Sequence, residues 1–169
     1  MKRVCFHGAE STGKSVLAKQ LEARFGWPWV PEYGRAYCEE RGIDLTMADL
    51  LAIAEGQDAA MRAAAAQQPP LLVLDTDALM TAAWAEMLFG DVPEVLMRYE
   101  KAELYLLFSP DVPWVGDGTR FFGADAARDR FAALAEEMLL RAGVPFERIS
   151  GDWEQRRAGV VAAIDRLMN

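Results

Sequence analysis

Gly8-Ala9-Glu10-Ser11-Thr12-Gly13-Lys14-Ser15 is the stretch on which the reading of this 169-residue chain turns. It matches G-x-x-x-x-G-K-[ST] in full. Glycines let such a loop curl until successive backbone N–H groups point inward at phosphate oxygens. Lys14 supplies a cation for the β- and γ-phosphates, and the Ser15 hydroxyl suits magnesium. The helix expected from Lys14 adds the positive end of its dipole. Gly8, Glu10, Ser11, Thr12, Gly13, Lys14 and Ser15 are therefore the expected nucleotide contacts, for ATP or GTP with Mg2+.

The flanks have the form that this loop requires. Arg3 to His7 reads as a short strand, and Lys14 to Phe25 carries helical periodicity through Val16, Leu17, Leu21 and Phe25. Beyond them, the pattern predicts strands at Trp27 to Val30, Leu71 to Leu74, Leu104 to Phe108 and Pro145 to Ile149. Helices are predicted at Tyr33 to Arg41, Thr46 to Gln67, Ala78 to Phe89, Pro93 to Glu100, Ala124 to Ala142 and Trp153 to Met168. Thr46 with Asp49 three residues on reads as a capping box. Continuous apolar strands alternating with helices imply a parallel sheet covered on both faces. The expected fold is a single three-layer α/β domain of about five strands, a typical sheet size.

Bulk composition narrows the function classes. A net charge of −8 and a pI near 4.7 argue against a general nucleic-acid surface, which needs a basic face. No apolar run has the length of a membrane span. The N-terminus reaches Gly8 too soon for a signal peptide, so a cytoplasmic location is expected. Cys5 and Cys38 have no metal-ligand spacing around them and read as buried thiols. His7 reads as a packed strand residue, and the scattered methionines and tryptophans read as mostly core.

Three further groups carry chemistry. Leu71-Leu72-Val73-Leu74-Asp75 ends a buried strand on an acid, the position from which Asp75 would reach magnesium, directly or through water. Capping of the next helix would then fall to Asp77 or Thr76. Val30-Pro31-Glu32-Tyr33-Gly34-Arg35 follows another strand end, where ligands gather in parallel sheets. Glu32 is placed to take a proton from a substrate hydroxyl, Arg35 to contact phosphate or sugar, and Tyr33 to stack on a planar ring. Trp114-Val115-Gly116-Asp117-Gly118-Thr119-Arg120 lies in the longest loop. It reads as part of a lid over about 109–128, with Arg120 and Arg128 closing on the transferring phosphoryl group.

Taken in order, these motifs resemble the ribosylnicotinamide kinase domain of NadR-type NAD-salvage proteins. The loop is similar to G-x-E-S-[ST]-G-K-S, Glu32 to Arg35 to E-Y-G-R, and Asp75-Thr76-Asp77 to D-T-D. Trp114-Val115 with Asp117-Gly118 and Arg120 resembles W-V-D-D-G-x-R, with Gly116 in place of the first acid. The resemblance implies phosphoryl transfer from ATP to the 5′-hydroxyl of nicotinamide riboside, giving nicotinamide mononucleotide. It makes Lys14, Glu32, Asp75 and Arg120 the expected catalytic residues, with Glu32, Asp75 and Asp77 all open as the base. Glu32, Tyr33, Arg35, Asp77, Trp114 and Asp117 become the expected acceptor contacts, Tyr33 and Trp114 sandwiching the nicotinamide ring. A separate enzyme would then finish NAD synthesis. A kinase for another nucleoside or small metabolite, and a nucleotide-dependent regulatory ATPase, are the alternatives.

Overall fold

The computed structural model describes residues 1–113 and 125–169. Five parallel strands form one sheet in the order β2-β3-β1-β4-β5, comprising β1 (Lys2–Gly8), β2 (Trp29–Val30), β3 (Leu71–Asp75), β4 (Leu104–Phe108) and β5 (Phe146–Ile149). The helices are α1 (Lys14–Phe25), α2 (Tyr33–Arg41), α3 (Met47–Ala65), α4 (Ala78–Phe89), α5 (Glu94–Arg98), α6 (Asp125–Ala142) and α7 (Trp153–Met168).

Side-chain alternation along the strands divides the core in two. Val4 and Phe6 of β1, Leu71 and Val73 of β3, and Leu104 and Leu106 of β4 join Leu17, Leu21, Val160 and Ile164 of α1 and α7. Cys5, Leu72, Leu74, Tyr105 and Leu107 face the other way, against Leu50, Ile53, Leu79, Phe131 and Met138 of α3, α4 and α6. The expected three-layer α/β sandwich is therefore present, with both faces covered.

Local chemistry sets the boundaries. Thr46 and Asp49 form the expected capping box, with the Asp49 N–H donating to Thr46 Oγ1 at 3.3 Å and the Thr46 N–H donating to Asp49 Oδ2 at 2.8 Å. β2 is shorter than the expected Trp27 to Val30 because Pro28 has no N–H for a ladder; its carbonyl still accepts from the Val73 N–H at 3.0 Å. Helix α3 stops at Ala65, before Gln68, which takes a left-handed φ of 52°. Cys5 and Cys38 are buried free thiols. Among the described residues, no helix is long and apolar enough to cross a membrane.

Candidate active site

Register places the phosphate-type loop and the acid of β3 together. Phe6 pairs with Asp75 across β1 and β3, so Asp75 ends its strand just before the loop leaves β1. The loop needs its glycines for two reasons. Gly8 has φ 120° and lies so close to β4 that a Cβ would stand 2.5 Å from the Phe108 carbonyl oxygen. Gly13 has φ 87°, and a Cβ there would meet the Trp153 ring at 2.4 Å. Lys14 Nζ donates to the carbonyls of Gly8 at 3.0 Å and Ala9 at 2.7 Å, which holds the ammonium over the mouth of the loop.

A cavity of about 460 Å³ opens from this loop, lined on the phosphate side by Gly8, Glu10, Lys14, Ser15 and Asp75. Glu32, Arg35, Gln57, Trp84 and Phe131 also line it. Trp84, half-buried, packs on the buried Phe131 with ring centroids 4.3 Å apart and gives the lining an aromatic surface.

Both carboxylate oxygens of Asp75 are buried and, among the described residues, have no backbone or charged donor, the Ser15 hydroxyl being the polar group beside them. Burial pushes its carboxyl up, opposed by Lys14 and by the nearby Ser15 hydroxyl, which favours the ionised form. A buried carboxylate with so few donors is costly unless something else neutralises it. Asp75 and Ser15 together offer hard oxygen ligands, and magnesium in phosphotransfer sites takes one or two carboxylates plus substrate phosphates. The residues fit that ion. Between Asp75 and Asp77, Thr76 adopts a left-handed φ of 88°, a strained setting for a β-branched residue.

Glu32 is held up at about 7 by burial and by the Asp75 charge, with Lys14 and Arg35 pulling the other way. It stands at the N-cap of α2, and its side chain makes no capping hydrogen bond. Asp77 is committed differently. Its Oδ1 accepts from the Leu79 N–H at 2.9 Å, capping α4, and its Oδ2 accepts from the Tyr105 hydroxyl. Both oxygens are thus engaged by the fold, although the residue borders the cavity.

Tyr33 does not line the cavity. Its ring lies against α3, where a Cβ on Gly56 would stand 2.3 Å from it, and it is 40% exposed. Arg128 is buried, and its guanidinium donates to the carbonyls of Glu10 at 3.3 Å, Ser11 at 3.2 Å and Val112 at 2.7 Å. It braces the loop from behind. Trp114, Asp117 and Arg120 lie outside the described residues, as does most of the expected lid.

His7 is buried and donates from Nε2 to the Ala135 carbonyl at 2.9 Å, and burial lowers its pKa to about 3. It is a neutral packing residue, as expected. Trp153 departs from the expectation of core, being 59% exposed beside a second cavity of about 370 Å³. Thr12, Val16 and Phe108 also border it. Arg156, almost wholly buried, donates to the carbonyls of Gly151 at 2.8 Å, Thr12 at 3.4 Å and Ser109 at 3.0 Å, and pairs with Asp111.

The fold and loop have known counterparts. The model of the AAA domain family matches residues 3–156. The trifunctional NAD biosynthesis/regulator protein NadR of Escherichia coli (strain K12) is 28% identical over 176 residues, covering 99% of this chain and 43% of that protein. NadR of Salmonella typhimurium (strain LT2) is 27% identical over 180 residues, with the same coverage. The chain thus spans less than half the length of these curated relatives. A crystal structure of NadR in complex with NR superposes with a TM-score of 0.81 at 23% identity, covering 97% of this chain and 51% of that one. NadR in complex with NAD and AMP-PNP gives 0.76 at 24% identity over 98% of this chain and 49% of that one. Deoxyadenosine kinase from M. mycoides with bound dATP gives 0.71 at 10% identity, covering 98% of this chain and all of that one. With the family model spanning nearly its whole length, this chain belongs to the AAA domain family.

Proposed function

We propose that the protein is a magnesium- and ATP-dependent kinase that phosphorylates the 5′-hydroxyl of nicotinamide riboside. One observation carries the reading. A phosphate-binding loop, a buried carboxylate with only the Ser15 hydroxyl beside it (Asp75) and an acid held near neutrality (Glu32) all border one cavity large enough for a nucleoside. The similarity to NadR along the whole chain supports the choice of acceptor and of ATP.

In this reading the loop amides and Lys14 hold the β- and γ-phosphates. Trp153 and its cavity take the purine, on the far side of Gly13. Trp84 and Phe131 offer the aromatic wall for the pyridinium of the acceptor. The acceptor hydroxyl attacks the γ-phosphorus, the bond from that phosphorus to the β-bridging oxygen breaks, and the hydroxyl proton passes to Glu32. A base works best with a pKa near the operating pH, which is where Glu32 stands. Asp77, with both oxygens engaged, is the weaker candidate. Magnesium, held by Ser15 and Asp75, would neutralise charge on the phosphate oxygens. Arg120 would add a cation from the lid.

The test is ADP release by the purified protein with MgATP, against nicotinamide riboside, deoxyadenosine, other nucleosides and no acceptor, with Lys14→Ala as control. Strong stimulation by nicotinamide riboside is expected, and loss of most turnover in Glu32→Ala and Asp75→Asn. The deoxyadenosine arm covers another nucleoside as acceptor, which the superposition on deoxyadenosine kinase favours. Release indifferent to every acceptor would overturn the kinase reading and favour a regulatory ATPase.

A further inference from the structure

We infer that Gln57 is the positioning residue for Glu32, an assignment that rests on reading Glu32 as the base. Gln57 lies on α3 in the buried stripe Leu50, Ile53, Ala54, Gln57 and Met61, where it is the polar member. It is 2% exposed. A polar side chain is tolerated in such a stripe only when its hydrogen bonds are made.

They are made to the two peptide groups that flank Glu32. Gln57 Oε1 accepts from the Tyr33 N–H at 2.7 Å, and Gln57 Nε2 donates to the Pro31 carbonyl at 3.3 Å. The Tyr33 N–H is among the first donors of α2, which have no partner within the helix. Tyr33 is the first residue of α2, and an N-cap side chain reaches the N–H of the second or third residue, so this donor needs a partner from elsewhere. An amide from another helix supplies it, and the Glu32 carboxyl makes no capping bond and borders the cavity.

The task requires an amide. A carboxylate at position 57 would accept from Tyr33 but could not donate to Pro31, and an apolar residue would do neither. Asparagine is one methylene too short to span both groups. Because Gln57 stands on α3, anchored by Leu50, Ile53 and Met61 in the core, it transmits the rigidity of that helix to the loop carrying the acid. Gly56 complements it by leaving room for the Tyr33 ring beside the same segment.

Steady-state kinetics on full-length Gln57→Met and Gln57→Glu, each with and without Glu32→Gln, test the assignment. Misplacement of a base by about an ångström costs up to about a hundredfold, so Gln57→Met should lose at least about tenfold in kcat. KM for MgATP should stay within about twofold, because the phosphate loop is untouched. In the Glu32→Gln background, adding Gln57→Met should cost almost nothing more, since residues that act as a unit are not additive. Gln57→Glu preserves length and serves if the methionine variant does not fold, because burial favours its protonated form, which can accept from Tyr33 and donate to Pro31. Its kcat should fall between those of wild type and Gln57→Met at low pH, and drop as the pH rises and the new carboxyl ionises.

Unchanged kcat in a folded Gln57 variant would overturn the assignment while leaving the kinase reading intact. So would losses that simply multiply with those of Glu32→Gln, or a loss confined to KM for MgATP. A wild-type protein inactive toward every acceptor is the distinct result that removes the kinase reading, and this assignment with it.

Discussion

Replacing Glu32 by glutamine should change how stability depends on pH. Burial and the Asp75 charge lift Glu32 from 4.5 to about 7, so between those values the folded protein holds a proton that the unfolded chain has lost. Stability must therefore fall as pH rises through this window, the folded state binding more protons than the unfolded. Each pKa unit corresponds to about 1.4 kcal/mol, and integrating from pH 5 to pH 8.5 gives about 2.5 kcal/mol. Glu32 is half-buried at the cavity wall, and solvent there reduces the figure to about 2 kcal/mol. The amide of the variant cannot ionise. The assay is urea unfolding of metal-free wild type and Glu32→Gln at both pH values. The stability difference between the two proteins should shift by about 2 kcal/mol in favour of the variant on going from pH 5 to pH 8.5. His7 and the groups that do not feel the Glu32 charge contribute equally to both proteins and cancel, whereas Asp75, coupled to Glu32, adds to the same difference. A shift near zero, or in favour of wild type, would refute the claim that the fold penalises this carboxylate.

Three other outcomes are expected. Arg156→Met strips donors from the Gly151, Thr12 and Ser109 carbonyls and breaks the Asp111 pair, at a cost of about 3 kcal/mol. Thermal denaturation should show a midpoint lower by about 6–12 °C for a chain of this size, and an unchanged midpoint would contradict the bracing role. Gly56→Ala gains about 1 kcal/mol of helix propensity but forces aside the half-exposed Tyr33 ring, so net stability in urea should move by less than about 1 kcal/mol. A loss of several kcal/mol would mean that the ring cannot give way. The His7 imidazole, lowered to about 3, should show no proton NMR titration between pH 5 and pH 8, whereas a midpoint near 6.5 would contradict its burial as the neutral form.

The parts of this structure legible in the sequence are those written in local pattern. Leu71 to Leu74 announces a central strand because both of its faces are covered, and Thr46 with Asp49 announces the start of α3 because a capping box involves four adjacent residues. The loop Gly8 to Ser15 combines a fixed spacing with a strand before and a helix after it. What stayed hidden depends on chain-distant partners. Nothing local singles out Arg156 on α7, and the phosphate loop and the segment after β4 bring three chain-distant acceptors to it, Thr12, Ser109 and Asp111. Asp77 reads as a third candidate acid, and the commitment of one oxygen to Tyr105, 28 residues away, shows only in the fold. Tryptophan type alone misled for Trp153, which the β5–α7 turn leaves exposed over Gly13. Gln57 carried a faint signal, a glutamine in an apolar helical stripe, but nothing local says which groups it meets.

The most direct measurement is phosphorus NMR of the purified protein with MgATP and nicotinamide riboside. The account predicts that the γ-phosphate signal gives way to a phosphate monoester coupled to the 5′-methylene protons, with ADP in equal amount and neither formed by Lys14→Ala. Inorganic phosphate as the only new phosphate signal beside ADP, or an unchanged ATP spectrum, would contradict it.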